Sequence, residues 1–110
     1  MTDTKYKLEI LSPAQRELEE IAFVHFSLVG PNSARNFTDK IFNALENLET
    51  NPELGMLCRD KQLRMANYRM LICGKYLCFY RIIGSSVYIY HIVDGRTDYP
   101  RIFSDMQGYE

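Results

Sequence analysis

The chain has 110 residues, 46% of them hydrophobic and 25% charged, with a formal net charge of −1. That length supports one hydrophobic core and not two, so a single domain over residues 1–110 is expected. No apolar run approaches the roughly 20 residues of a membrane span, and no apolar leader precedes the first strand pattern, so a cytoplasmic protein without a membrane partner is expected.

Lys5 to Leu11 alternates, with Tyr6, Leu8 and Ile10 on one face, and reads as a half-buried strand. Ser12-Pro13-Ala14-Gln15 reads as a helix start, with Ser12 as N-cap and Gln15 completing a capping box. Ala14, Leu18, Ile21, Ala22, His25 and Val29 then follow at helical spacing. Glu17, Glu19 and Glu20 lie where the helix dipole favours negative charge. His25 sits at the edge of the apolar stripe, where a histidine with one satisfied nitrogen is the ordinary finding. Gly30-Pro31 ends this helix, and Asn32 or Ser33 caps a second one. Phe37, Ile41, Ala44, Leu45 and Leu48 form its buried face, and Asn51-Pro52 stops it.

Glu53 to Asn67 is irregular, with a possible short strand near Leu63 to Met65. Three strands follow: Tyr68–Cys73, Tyr76–Ile83 and Val87–Val93. They are joined at Gly74-Lys75 and at Gly84-Ser85-Ser86, turn lengths that connect antiparallel neighbours. Ile102 and Phe103 anchor a terminal loop, strand or helix, and fraying is expected from Asp105 to Glu110. The result is an α+β fold: an N-terminal strand and an α-helical hairpin packed on one face of a curled, mainly antiparallel sheet of about four strands.

Charge divides along the chain. Residues 1–54 carry five Lys/Arg against nine Asp/Glu, and residues 55–110 carry eight against five. The sheet half is the more basic, which suits an anionic partner or simply an uneven solvated surface. The three cysteines (Cys58, Cys73, Cys78) lack a framework spacing and read as free thiols in a reducing compartment. There is no C-x-x-C, no clustered histidine, no Gly-rich phosphate loop, no G-x-S-x-G and no H-E-x-x-H, so neither metal nor cofactor is expected.

Strict alternation puts Tyr76, Cys78, Tyr80 and Ile82 on one face of the second strand and Leu77, Phe79, Arg81 and Ile83 on the other. On the third strand it places His91 with Val87, Ile89 and Val93. Arg69, Arg81 and Arg96 could converge near one end of the sheet, with Lys75 at a turn. Such a set suits phosphate oxygens, and interleaved tyrosines could stack bases. The tyrosines serve equally well as strand formers with a wet hydroxyl. Asp94 and Asp98 bracket Arg96 and could pair with it instead.

Taken together, a strand, a helical hairpin, Asn51-Pro52-Glu53-Leu54-Gly55, Tyr68-Arg69, Phe79 to Ile82 and Val87 to Asp98 (ending Gly-Arg-x-Asp) resemble the RelE/ParE superfamily, the toxins of type II toxin–antitoxin modules. The resemblance covers Tyr6 to Phe103. It implies a cognate antitoxin that docks in the groove between hairpin and sheet, by strand addition or as a helix. It also implies one of two targets. RelE-like members cut mRNA on the ribosome with basic residues, and on that reading Arg81, Arg96, Arg69, His91 and Tyr99 are the catalytic candidates. ParE-like members poison DNA gyrase and are not nucleases. Phe103 stands near the usual place of a catalytic tyrosine, no histidine lies in the terminal loop, and the net charge is low for a ribosome-bound nuclease. The Gly-Arg-x-Asp ending also resembles the ParE side. The ParE-like reading is therefore preferred, with a RelE-like endoribonuclease, or a member that binds antitoxin without toxicity, as the alternatives. Arginines meeting in one open cleft would favour the nuclease; dispersed arginines, or pairing to Asp94 and Asp98, would disfavour it.

Overall fold

The computed structural model describes residues 5–107, with side-chain environments up to Phe103. In chain order the elements are β1 (Lys7–Ile10), α1 (Ser12–Leu28), α2 (Pro31–Thr50), β2 (Met56–Leu57), α3 (Lys61–Met65), β3 (Arg69–Cys73), β4 (Tyr76–Ile83), β5 (Ser86–Asp94) and α4 (Tyr99–Gln107). The sheet has five strands in the order β1-β5-β4-β3-β2. β1 runs parallel to β5, and the other pairs are antiparallel. The expected α+β architecture is present, with one strand more than anticipated.

The two long hairpins turn on Gly74-Lys75 and Gly84-Ser85, and Ser86 already belongs to β5. Both glycines have positive φ, 62° and 61°, the conformation that a two-residue hairpin turn requires at its first central position. The helix starts differ from expectation. Ser12 is inside α1, Leu11 stands at the cap, and the Gln15 amide donates to the Ile10 carbonyl at 2.7 Å. Likewise α2 begins at Pro31, whose fixed φ suits the first helical position, with Gly30 before it. Ser33 is thereby released from capping, and its hydroxyl meets His25 Nδ1 at 3.0 Å.

The segment from Leu63 to Met65 is helical, not a strand. Asp60 Oδ2 accepts the Leu63 N–H at 3.1 Å and caps α3. The additional strand is the two-residue β2, paired with Arg69 and Met70. At the C-terminus α4 extends to Gln107, so Asp105 to Gln107 are helical where fraying was expected; residues 108–110 lie outside the described residues.

Helices α1 and α2 cover one face of the sheet. Ala14, Leu18, Phe37, Ile41, Leu45 and Leu48 pack there against Leu71, Cys78, Tyr80, Val87, Ile89 and Ile92. The stripe of α1 is shorter than its spacing suggests, because Val29 is 76% exposed. A second cluster occupies the opposite face: Cys58, Leu63, Tyr68, Phe79, Val93 and Phe103. Phe103 of α4 reaches this face, which is therefore partly covered.

Candidate functional site

A bulge sets the chemistry of the second face. Phe79 pairs with His91, but Tyr80 pairs with Ile89, which leaves Tyr90 as an extra residue on β5. The parity of β5 reverses there. Val87 and Ile89 face the helices, whereas His91 and Val93 face the other way, and Ile92 returns to the helix face. The grouping of His91 with Val87 and Ile89 is thus corrected, because alternation cannot register a single inserted residue.

The bulge is held by a residue that sequence reasoning assigned to the helix dipole. β1 ends at Ile10, and Leu11 N–H still donates to the Ile89 carbonyl at 3.0 Å. Beyond that point the Glu17 carboxylate takes over. Its Oε1 accepts the Ile92 N–H at 2.9 Å, and its Oε2 accepts from His91 Nδ1, also at 2.9 Å. A carboxylate only accepts, so Nδ1 is the donor in this contact. His91 is buried, with its ring edge-on to Phe103 at 5.0 Å. Glu17 lies three residues after the buried Ala14, on the flank of the apolar stripe, and that position was the available signal.

The three arginines do not meet. Arg69 pairs across the sheet with Tyr80, on the helix face, and its guanidinium donates to the carbonyls of Glu53 and Gly55. Arg81 lies on the second face, stacked on the rings of Tyr68 (4.7 Å) and Tyr90 (5.0 Å). Two of its nitrogens donate to the Tyr90 hydroxyl, at 3.1 and 2.7 Å. Arg96 follows β5 near the β3–β4 turn, where Asp94 accepts from both its backbone and its side chain. These bonds hold the Asp94 carboxyl below its usual pKa. Tyr76 pairs with Asp94, so Arg81 lies five residues up the strand from Arg96's end of the sheet, a rise of roughly 17 Å. Tyr99 opens α4 and packs on Phe79 at 4.7 Å, and burial raises its hydroxyl pKa.

The cysteines are free and buried. Burial pushes the Cys58 thiol up to about 11 and the Cys78 thiol up to about 12, the reverse of an activated nucleophile. Among the described residues no group of three His, Cys, Asp or Glu side chains could hold a metal ion, and no helix is long and apolar enough to cross a membrane.

A groove opens where the tip of the α1–α2 hairpin overhangs the β3–β4 turn. A cleft of about 480 Å³ has Phe37, Ile41, Cys73 and Tyr76 in its lining, with Lys40 and Lys75 beside them. A second cleft, lined by Ile21, Val24, Leu28 and Asp94 among others, shares His25, Val29, Lys75 and Tyr76 with the first. His25 stands between hairpin and sheet. Its Nδ1 meets the Ser33 hydroxyl, its Nε2 meets the Tyr76 hydroxyl at 2.9 Å, and its ring stacks on Phe37 at 5.1 Å. Both nitrogens are engaged, one more than its sequence position suggested.

Residues 8–99 match the family model described as the ParE toxin of the type II toxin–antitoxin system parDE. The chain belongs to this family. It is a toxin of a type II toxin–antitoxin system, of the RelE/ParE superfamily. Its fold is similar to that of a chain in the chromosomal ParDE system from P. aeruginosa, with a TM-score of 0.70 at 19% identity over 83% of this chain and 97% of that one. It is also similar to a chain in the toxin–antitoxin complex RelBE2 from Mycobacterium tuberculosis, with a TM-score of 0.59 at 20% identity over 84% of this chain and 94% of that one. A search of curated protein sequences returned no match.

Proposed function

We propose that this ParE-family chain inhibits growth by binding, with DNA gyrase as its target, and that a cognate antitoxin holds it inactive in the cytoplasm. The dispersal of the arginines carries the choice of target. Cleavage of RNA through its 2′-hydroxyl needs a base, an acid and cationic stabilisation within reach of one phosphate. Here Arg69 and Arg81 belong to opposite faces of the sheet, and Arg96 is paired to Asp94 at its far end. His91 is buried against Phe103 with its Nδ1 committed to Glu17. A net charge of −1 also gives little phosphate neutralisation for a ribosome-bound nuclease.

The antitoxin reading is supported by family membership and by the groove at the hairpin tip, which offers apolar walls and lysines to a docked segment. The test is induction of the chain alone in a bacterial host, with pulse labelling of protein and DNA synthesis and mapping of mRNA 5′ ends. Gyrase poisoning gives DNA damage and filamentation while mRNA stays intact. A rapid stop in translation with codon-phased new ends would replace this reading with ribosome-dependent cleavage. Unaffected growth from folded protein would leave an antitoxin-binding member without toxicity.

A further inference from the structure

The solvent side of the helical hairpin carries a pattern that neither the groove nor the sheet uses. No Lys, Arg, Asp or Glu stands between Glu20 and Arg35, so the end of α1 is uncharged on every side. Val24 and Leu28 of that stretch line the groove. Phe23 does not. It follows the buried Ala14 by two and a half helical turns and faces away from the core. Phe23 and Phe26 are neighbours on the helix surface, 68% and 54% exposed. On α2, Lys40 and Phe42 flank the buried Ile41 on opposite sides. Lys40 lines the groove, and Phe42 is 38% exposed on the other flank. Both helices then repeat one arrangement. Arg16, Glu20 and Phe23 lie at i, i+4 and i+7 on α1, and Arg35, Asp39 and Phe42 lie at i, i+4 and i+7 on α2. Residues so spaced share one helix face. The four charged residues are exposed, and the ion pairs among the described residues are His91–Glu17 and Arg96–Asp94. Both arginines and both carboxylates are therefore open to a partner. A patch with a one-signed rim repels a second copy of itself, whereas one that holds both signs at matched spacing on each helix is complementary to itself.

We infer that the chain pairs with a second copy of itself through this outer face of the hairpin. Phe23, Phe26 and Phe42 form the apolar centre, and Arg16 and Arg35 of one copy meet the acidic pair Glu20 and Asp39 of the other. Covering exposed rings supplies the driving force, and the charges fix the register. The groove lies on the other flank of each helix, so it stays open in both copies. The pairing depends on neither the gyrase reading nor the antitoxin reading. The patch is small, so the dimer is a weak one that dissociates on dilution.

The test is sedimentation velocity of the full chain alone, over about 1–200 μM, where a weak dimer forms and dissociates. The mass is expected to rise from one chain to two across that range. Phe23→Ser with Phe26→Ser is expected to weaken pairing about tenfold or more. Two charge variants address the rim: Arg16→Glu with Arg35→Glu, and Glu20→Arg with Asp39→Arg. Each alone carries a one-signed rim and is expected to stay monomeric, while an equimolar mixture of the two dimerises again. Recovery on mixing is a result that a misfolded variant cannot give. Lys5→Glu with Lys7→Glu makes the same change of net charge as the arginine pair, on the exposed side chains of the β1 segment, and is expected to dimerise as the unmodified chain does. A chain that stays monomeric at every concentration overturns the inference. So does a dimer that survives the phenylalanine and charge variants, a mixture that does not recover, or equal weakening by the lysine pair.

Discussion

The two faces of the sheet handle polar groups differently. In the core of the helix face, away from the half-buried His25–Tyr76 contact at the hairpin tip, the packing is mostly aliphatic, and one fully buried hydroxyl interrupts it. Tyr80 donates to the Pro52 carbonyl at 2.7 Å and accepts the Gly55 N–H at 2.8 Å, so both partners are backbone. On the second face the packing is aromatic, with Tyr68 edge-on to Phe103 at 4.6 Å and to Tyr90 at 5.0 Å. Its polar groups, Arg81 and His91, meet side chains: the tyrosine rings and hydroxyl for one, Glu17 for the other. A polar group that completes backbone hydrogen bonds is part of the fold. One that leans on neighbouring side chains can be exchanged at lower cost, and that is where family members of one fold have room to differ in chemistry.

The largest expected effect follows from the helix face. Tyr80→Phe keeps the ring and removes the hydroxyl, which leaves the buried Gly55 N–H and the Pro52 carbonyl without their partner. Each such loss costs about 1–3 kcal/mol, so for the two a loss of about 2–6 kcal/mol is expected, read by chemical denaturation with an unchanged m-value. The Gly55 loop cannot shift to compensate through a larger residue, since a Cβ there would stand 2.7 Å from the Met70 carbonyl oxygen. A loss below about 0.5 kcal/mol would erase the distinction between the two faces.

Glu17 tests the bulge that makes the faces differ. Glu17→Ala removes the acceptor of the Ile92 N–H and of His91 Nδ1 together. Glu17 is partly accessible, so water can replace some of what is lost, and about 1–2 kcal/mol is expected. Glu17→Gln keeps one acceptor oxygen and is expected to recover part of that loss. Amide exchange at Ile92 reports the site directly: it should accelerate in the alanine variant while exchange in β3 stays slow. Equal acceleration throughout the sheet would mean that Glu17 supports the whole fold and not this edge.

Much of the architecture was legible because it rests on local rules. Gly74 and Gly84 mark hairpin turns, Pro31 and Pro52 bound α2, and the spacing of Phe37, Ile41, Leu45 and Leu48 gives its buried face. The parallel β1–β5 pair was less visible, because a strand's partner is not written in its own alternation. The site was less legible still. The placement of Arg69, Arg81 and Arg96 depends on parity and on strand ends, and proximity in sequence does not fix either. His91 was misplaced by the one inserted residue, Tyr90. Glu17 was misread because its partners are 74 and 75 positions away.

Arg81 gives the smallest expected change in stability and the sharpest contrast with Tyr80. Its guanidinium is half-buried and lies over two rings, with the Tyr90 hydroxyl as an acceptor that water can also satisfy. Arg81→Ala removes the cation–π contacts, worth about 0.5–1 kcal/mol at a site open to solvent, together with some packing of the aliphatic stem. A loss of about 1 kcal/mol is expected, with Arg81→Lys intermediate because an ammonium cannot stack as a planar guanidinium does. On the gyrase reading, toxicity survives Arg81→Ala in proportion to the folded protein present. If a stable, folded Arg81→Ala protein loses all toxicity, the arginine is needed by the target and not by the sheet, and RNA 5′-end mapping of the unmodified chain then decides between a nuclease phosphate contact and a protein contact made by the second face.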